Sequence, residues 1–362
     1  MKSQSYMKLA VRMADRAVGL TSPNPPVGVI IVKDDQILAR GWTQKGGSPH
    51  AEIHAINQIS KKAELSGSTL YSTLEPCSHR GKNLPCIDKI IKYKFKEVII
   101  SQKDKNPLVN GKGIKKLKSK GIKVILKDFN NNIKYTNNIF FNSLNRNKPY
   151  ISLKIASTAD GKIAMILKES NWITGKSSRM IGHYIRSKND CMLVGRGTVE
   201  SDNPSMDCRL AGLSDASPDI FILDSKLKLN PNYNIFKLKN RNVFIFHNRS
   251  LTGKIKKKYK KVLFIKTTNK DKLLDINKII SVISQKGYHR VLVEGGSELS
   301  TTLLKNDLVD KIYWFRASKV IGSEGLSAIS NLNVNKMSLI KNFRLDNSKR
   351  IDNDILDIYS RG

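Results

Sequence analysis

Short runs of β-branched and aromatic residues recur along this chain, separated by stretches of helical period, and this alternation limits the fold more than any other feature. In the first third, VGVIIV, ILARGW, the TLYST of GSTLYSTLEPC, EVIIS and KVIL read as strands. Residues 1–20 carry a helical pattern that the prolines of TSPNPPVG break, and HAEIHAINQIS opens as a helix straight after Pro49. CIDKIIKYK and the basic GIKKLKSKG supply two further helices. From Pro149 the alternation resumes with YISLKIAS, CMLVG, DIFILD, NVFIFH, KVLFIK, RVLVEGG and KIYWF, with helical patterns at 177–188, 271–286 and 297–306. Strands alternating with helices predict layered α/β architecture. Between the two sets, at about 127–148, lies an Asn-rich stretch in which Ile139, Phe140, Phe141 and Leu144 give a helix one apolar face. We read a connecting helix there and a boundary near Lys148, so that 1–147 and 148–362 form two domains, as ~150 residues per domain suggests. LIKNFRLDN and ILDIYS near the end read as closing strands.

No apolar run approaches the ~18 residues of a membrane span. The first twenty residues are amphipathic, with Asp15 among them, and lack the apolar core of a signal peptide, so the expectation is a cytoplasmic protein without a membrane partner. The net charge of +34, from 64 basic and 30 acidic residues, would attract any polyanion. One reading is a nucleic-acid partner. The other is compositional: the excess is Lys rather than Arg, it travels with Ile and Asn, and KIKKLKSKGIK and KIKKKYKKV lack interleaved aromatics for stacking on bases. We favour the second, with no specific nucleic acid as partner and attraction of small phosphorylated substrates as a by-product. Four cysteines in 362 residues make no disulfide scaffold, and the close pair, Cys77 and Cys86, suits a metal.

The densest chemical signal is His50-Ala-Glu52 at a helix start, then Pro76-Cys77, then Cys86 opening the next helix. One His and two Cys hold zinc with a fourth position left for water, whose pKa the metal lowers towards ~7. Glu52, two residues past His50, can pass a proton from that water to a departing amine without ligating. Any one of these residues alone would most simply be structural; together they form the His-x-Glu…Pro-Cys…Cys signature of zinc deaminases.

Eight residues, SHRGKNLP, separate the cysteines, where nucleobase deaminases usually have two. With TSPNPPVG and HAEIHAI, this longer loop resembles the pyrimidine deaminase half of the bifunctional riboflavin-biosynthesis deaminase/reductase family. The resemblance implies a cytidine-deaminase-like three-layer α/β/α domain acting on a diaminopyrimidinone that carries a ribosylamino 5-phosphate. It implies substrate contacts at Asn24 and, in the inserted loop, at His79 and Lys82, which suit a phosphate or ribose. One departure is Thr43 in GWTQKGG, where many members have His.

In the second half, VLVEGGSELSTTLL is a strand, a glycine pair and a helix, a place where backbone amides bind a pyrophosphate, although Gly-Gly before a helix is also an ordinary turn. LKIASTADGKIA, SNWITG, VGRGTVESDNPSMDCR and VEGGSELSTTLL follow, in order, the reductase half of the same family. That implies a dihydrofolate-reductase-like α/β domain using NADPH. The implied cofactor contacts are Ala156, Trp172, Thr198, Asp202, Ser225 and the helix start Gly296, Ser297, Glu298, Leu299, Ser300, Thr301 and Thr302. The implied substrate contacts are Lys154, Ser170, Arg186, Met206, Arg209 and Glu294, with Arg186 and Arg209 suited to clamp a phosphate. Lys154, Asp202 and Glu294 are open candidates for the proton donor of the reduction; we expect Lys154 to stay charged. Cys191 and Cys208 read as packed thiols.

The resemblance spans about residues 5–330, and related enzymes form dimers or tetramers, so a homo-oligomer is expected. There are two rival readings. A nucleic-acid base deaminase with a basic accessory domain rests on the charge alone, and SHRGKNLP and VEGGSELS speak against it. A non-catalytic nucleotide binder is opposed by the presence of all four zinc-site residues and the reductase arginines.

Overall fold

A computed structural model describes residues 2–79, 84–106, 109–127, 129, 131–166, 172–237, 240–259, 261–270 and 273–362. The chain divides into two compact units, Met1–Arg146 and Asn147–Gly362.

The first unit is built on a five-stranded sheet in the order Gln36–Trp42, Gly28–Lys33, Thr69–Ser72, Glu97–Ile100, Lys123–Leu126. The first three strands pair antiparallel and the last three parallel. Successive side chains of Gly28–Lys33 leave on opposite faces, as a strand requires. Ile30 and Val32 pack with Met7 and Ala10 of the helix Lys2–Ala17. Val29 and Ile31 share a core with Ala51, Ala55 and Ile56 of Ala51–Asn57, Ile87 and Ile90 of Cys86–Lys92, and Phe140 and Phe141 of Asn131–Arg146. Helices therefore cover both faces, giving three layers. The expected connecting helix is present, and its two phenylalanines belong to this unit's core.

The second unit carries a nine-stranded sheet in the order Val262–Lys266, Val243–His247, Asp219–Leu223, Cys191–Gly195, Arg290–Glu294, Tyr150–Thr158, Lys311–Ala317, Asp354–Arg361, Phe343–Ile351. The first seven are parallel and the last two form an antiparallel closing hairpin. All seven expected strands are there, and both closing strands. One face packs Leu193, Phe221 and Val293 with Ile279, Ile280, Ile283 and Leu303; the other packs Met192, Val194 and Ile222 with Ile185 and Val199. Burial of both faces explains why these strands read as continuous apolar runs. The helical pattern expected from 271 begins at Ile276, because the Asp275 carboxylate accepts hydrogen bonds from the Asn277 and Lys278 amides and caps the helix there. Among the described residues no helix is long and apolar enough to cross a membrane.

The first unit is tight at Gly41: a Cβ there would lie 2.2 Å from the Ala51 carbonyl oxygen and 2.8 Å from the Ala55 Cβ. Gly41→Ala must push the helix Ala51–Asn57 off the sheet. The expected cost is about 1–3 kcal/mol, read as a lower denaturant midpoint for this unit. An unchanged midpoint would show that the helix is not seated so closely.

Candidate active sites

His50 takes the N-cap position of Ala51–Asn57 in extended conformation. The strand Thr69–Ser72 leads into the loop that bears Cys77, and Cys86 is the first residue of Cys86–Lys92. The Cys86 amide donates to the Cys77 sulfur at 3.3 Å, tying loop to helix. His50 Nδ1 lies 3.3 Å from Cys86 Sγ and 3.4 Å from Cys77 Sγ, and the three donor atoms all fall within 4.8 Å of one another. Bond lengths of about 2.0 Å to nitrogen and 2.3 Å to sulfur around a tetrahedral zinc ion separate N and S by about 3.6 Å. The donor set and its spacing thus fit zinc. A hydrogen bond between the two sulfurs holds the Cys77 thiol down at about 4 and, with burial, pushes Cys86 up. A thiolate held ready in this way favours a cation.

Glu52 is only 3 % exposed, and burial raises its carboxyl above the usual range, with Cys77 adding to the shift. A carboxylate easily protonated beside a metal site is suited to carry a proton. Sequence pattern alone did not single out Glu75, which precedes Pro76-Cys77. Its buried carboxylate accepts from the Gly111 amide at 2.9 Å and from the Asp104 and Ile114 amides at 3.3 Å, pinning the loop before the first cysteine. An acid at the end of an apolar strand was the available signal.

Of the expected substrate contacts, Asn24 donates to the Gly47 carbonyl at 3.0 Å and packs against that residue. His79 is half-buried, and its buried Nδ1 has no hydrogen-bond partner among the described residues. Lys82 lies outside the described residues, as does Ser170. Thr43 is buried, its hydroxyl accepting from the Val27 amide.

In the second unit many of the expected residues gather at the carboxyl ends of neighbouring parallel strands. The chain leaves Cys191–Gly195 for Asp219–Leu223 on one side of the sheet, and leaves Arg290–Glu294 for Lys311–Ala317 on the other. Such a switch point opens the crevice where α/β sheets bind ligands. The helices Arg196–Asp202 and Ser297–Lys305 start there, and the Gly296 amide donates to Thr198 Oγ1 at 3.2 Å. Ser225 follows the strand Asp219–Leu223, Ala156 is half-buried on Tyr150–Thr158, and Asp202 is exposed at the end of its helix. Leu299, Ser300 and Thr301 are buried: Leu299 packs in the core, and the two hydroxyls bond to the carbonyls of Gly296 and Ser297. The Thr302 hydroxyl bonds to the Glu298 carbonyl. The start of this helix therefore offers mainly backbone amides. Trp172 is 70 % exposed, with the Arg179 guanidinium 4.7 Å over its ring and its carbonyl accepting from Lys319.

Three charges meet at the end of Arg290–Glu294. Glu294 stands opposite Lys154 in the ladder, 3.6 Å from its Nζ, and receives two hydrogen bonds from Arg186 at 2.6 and 2.9 Å. Burial alone would push the Glu294 carboxyl up, but the Arg186 and Lys154 charges outweigh it and hold the group at about 2. Glu294 is therefore ionised at neutral pH and has no proton to donate. Arg186 also donates to the Asp207 carbonyl, so it is engaged with protein groups, whereas Arg209 is exposed beside Asp207 and His183. Met206 is buried in the core with a left-handed backbone (φ 54°), and its carbonyl accepts from Arg241.

Known proteins resemble this chain in both units. Residues 1–102 match the cytidine and deoxycytidylate deaminase zinc-binding region, and residues 149–356 match the RibD C-terminal domain. The riboflavin biosynthesis protein RibD of Aquifex aeolicus is 34% identical over 360 residues, covering 99% of this chain and 98% of that protein. The corresponding protein of Bacillus amyloliquefaciens is 36% identical over 323 residues, 88% of this chain and 85% of its own length. A Thermotoga maritima diaminohydroxyphosphoribosylaminopyrimidine deaminase/5-amino-6-(5-phosphoribosylamino)uracil reductase superposes with a TM-score of 0.85 at 34% identity, over 100% of this chain and 99% of its own. Acinetobacter baumannii RibD superposes at 0.87 with 29% identity and the same coverage. A zinc-binding deaminase unit joined to a reductase unit, matched along its whole length, makes this chain a member of the RibD family of riboflavin-biosynthesis proteins.

Proposed function

We propose that residues 1–147 perform the deamination and residues 148–362 the reduction, in that order, on one phosphorylated pyrimidine. The enzyme acts in riboflavin biosynthesis with both activities, zinc serving the first and NADPH the second. The observation that carries the reading is the meeting of His50 Nδ1 with both cysteine sulfurs beside a buried Glu52.

The substrate is 2,5-diamino-6-(5-phosphoribosylamino)pyrimidin-4(3H)-one. Zinc, held by His50, Cys77 and Cys86, supplies a Lewis acid that makes hydroxide available near neutral pH. Glu52 takes the proton of the attacking water and returns it to the departing amine, a role its raised pKa supports. Asn24, His79 and Lys82 bind the substrate. In the second unit NADPH supplies a hydride to C1 of the opened ribosyl group, giving a ribityl chain. The amides at Gly296–Leu299 take the cofactor's pyrophosphate, with Thr198, Asp202, Ser225, Ala156 and Trp172 along its length. Arg209, with Lys154 and Arg186 behind it, gives the substrate phosphate a cationic surround. The ionised Glu294 leaves Lys154 and Asp202 as the proton-donor candidates, and Lys154 keeps its charge as the partner of Glu294. The enzyme works in the cytoplasm, where its four free thiols persist. It forms a homo-oligomer, which the edge strand Phe343–Ile351 supports: its only ladder among the described residues is with Asp354–Arg361, and Leu345 on it is 52% exposed.

With the diaminopyrimidinone as substrate, ammonia release and NADPH oxidation are followed separately. Glu52→Ala lowers ammonia release by about 10²–10⁴-fold with zinc content unchanged. NADPH oxidation stops with the original substrate and resumes when deaminated substrate is supplied; oxidation that persists with the original substrate would reverse the order of steps. A chelator removes ammonia release and spares reduction of the deaminated substrate; if both activities fall together, zinc is not confined to the first. Lys154→Met raises KM for the deaminated substrate while saturating hydride transfer survives. Normal affinity without hydride transfer would instead identify Lys154 as the acid.

A further inference from the structure

We infer that Asp354, in the closing hairpin, is a positioning residue of the reduction, because it caps the helix that carries Arg186 and fixes the segment that carries Trp172. The inference rests on the reading of Trp172 and Arg186 as part of the reductase site.

The helix Lys176–Ser187 begins at Gly175, whose side chain can offer no cap. A helix start leaves amides unsatisfied and carries partial positive charge, so an acceptor, best an anion, must come from somewhere. Here it comes from 179 residues away: Asp354 Oδ2 accepts from the Gly175 amide at 2.8 Å and from the Ser178 hydroxyl at 2.5 Å. Asp354 and Ser178 are 5 % and 3 % exposed, so the contact is shielded from water and from salt. The arrangement does from outside the helix what a capping-box glutamate does within one, reaching back to the N-cap amide.

The carboxylate is itself held in place. Asp354 stands opposite Ala317 in the sheet, and the Ser318 hydroxyl donates to the Asn353 carbonyl in the adjoining turn. From this anchor two lines run to the expected site. Along the helix, Arg186 reaches Glu294 with two hydrogen bonds. On the other side of Gly175, Arg179 donates to the Thr174 carbonyl and lies over the Trp172 ring, while Lys319 donates to the Trp172 carbonyl. Without the Asp354 carboxylate, both lines lose their common fixed point.

The test uses the full-length, zinc-loaded protein with NADPH and deaminated substrate. Asp354→Ala raises KM for NADPH by about five- to ten-fold, leaving kcat and ammonia release near the wild-type values. Asp354→Asn keeps one acceptor oxygen without the charge and gives a smaller rise; it also serves if the alanine variant does not fold. Gly175→Asp in the Asp354→Ala background returns a carboxylate to the helix start and recovers part of the loss. A fall in kcat that tracks lost folded protein, with KM unchanged, would make Asp354 purely structural and overturn the proposal, as would wild-type KM values in both variants. A wild-type protein unable to oxidise NADPH with deaminated substrate would overturn the reductase reading itself, and this proposal with it.

Discussion

The deaminase unit depends on how closely the helix Ala51–Asn57 sits on the sheet. Gly41 lets the Ala51 carbonyl approach to a distance that no side chain would permit, and Ala51 and Ala55 present only methyl groups to the strand. With the helix start so placed, His50 reaches both sulfurs and Glu52 is buried beside them. The other two ligands are fixed from the opposite direction. Glu75 binds the backbone around 104–114, and a Cβ on Gly113 would fall 2.6 Å from the Pro76 carbonyl, so the loop before Cys77 is clamped between them. Three ligands on two helix starts and one loop can be preorganised only if all three attachments are rigid.

The reductase unit solves a different problem, keeping charge inside a sheet. An ionised carboxylate at the end of a central strand is costly to bury unless it is paired and fully hydrogen-bonded. Glu294 meets that condition with Arg186 and Lys154, and the depressed carboxyl shows which effect wins. The same pairing aims Arg186 at protein rather than solvent. By residue type Arg186 and Arg209 form an equivalent clamp; the structure gives one of them buried partners and leaves the other at the surface.

Much of this was legible in the residues because it depends on local period and spacing. Apolar runs marked every strand of the large sheet, and His50, Glu52, Cys77 and Cys86 declared the zinc site by type and order. What escaped was long-range. Nothing near Gly175 announces that its cap is Asp354, because the partner arrives from another part of the chain. Glu75 looked like an ordinary loop acid because its three donors lie 29 to 39 residues further on. Likewise Asp275, which delays the helix that periodicity started at 271, acts through hydrogen bonds that hydrophobic pattern does not register.

The charge of +34 acquires a physical explanation from the same packing. In the basic helix Lys112–Ser119, Gly113 and Leu117 are buried while Lys115, Lys116 and Lys118 face outward, with Lys116 paired to Asp88: this is the polar side of an amphipathic helix. In the second basic run the one aromatic, Tyr259, is buried and its hydroxyl donates to the Leu229 carbonyl, so its ring belongs to the core and is not presented to a base. Lysines at such positions cost the fold little, because their stems can lie along the surface and their heads remain in water. Their summed field still draws in small anions over distances set by the salt concentration. For an enzyme whose substrate and cofactor both carry phosphate, a field of that sign speeds encounter, while recognition is left to the few groups that crevice geometry selects.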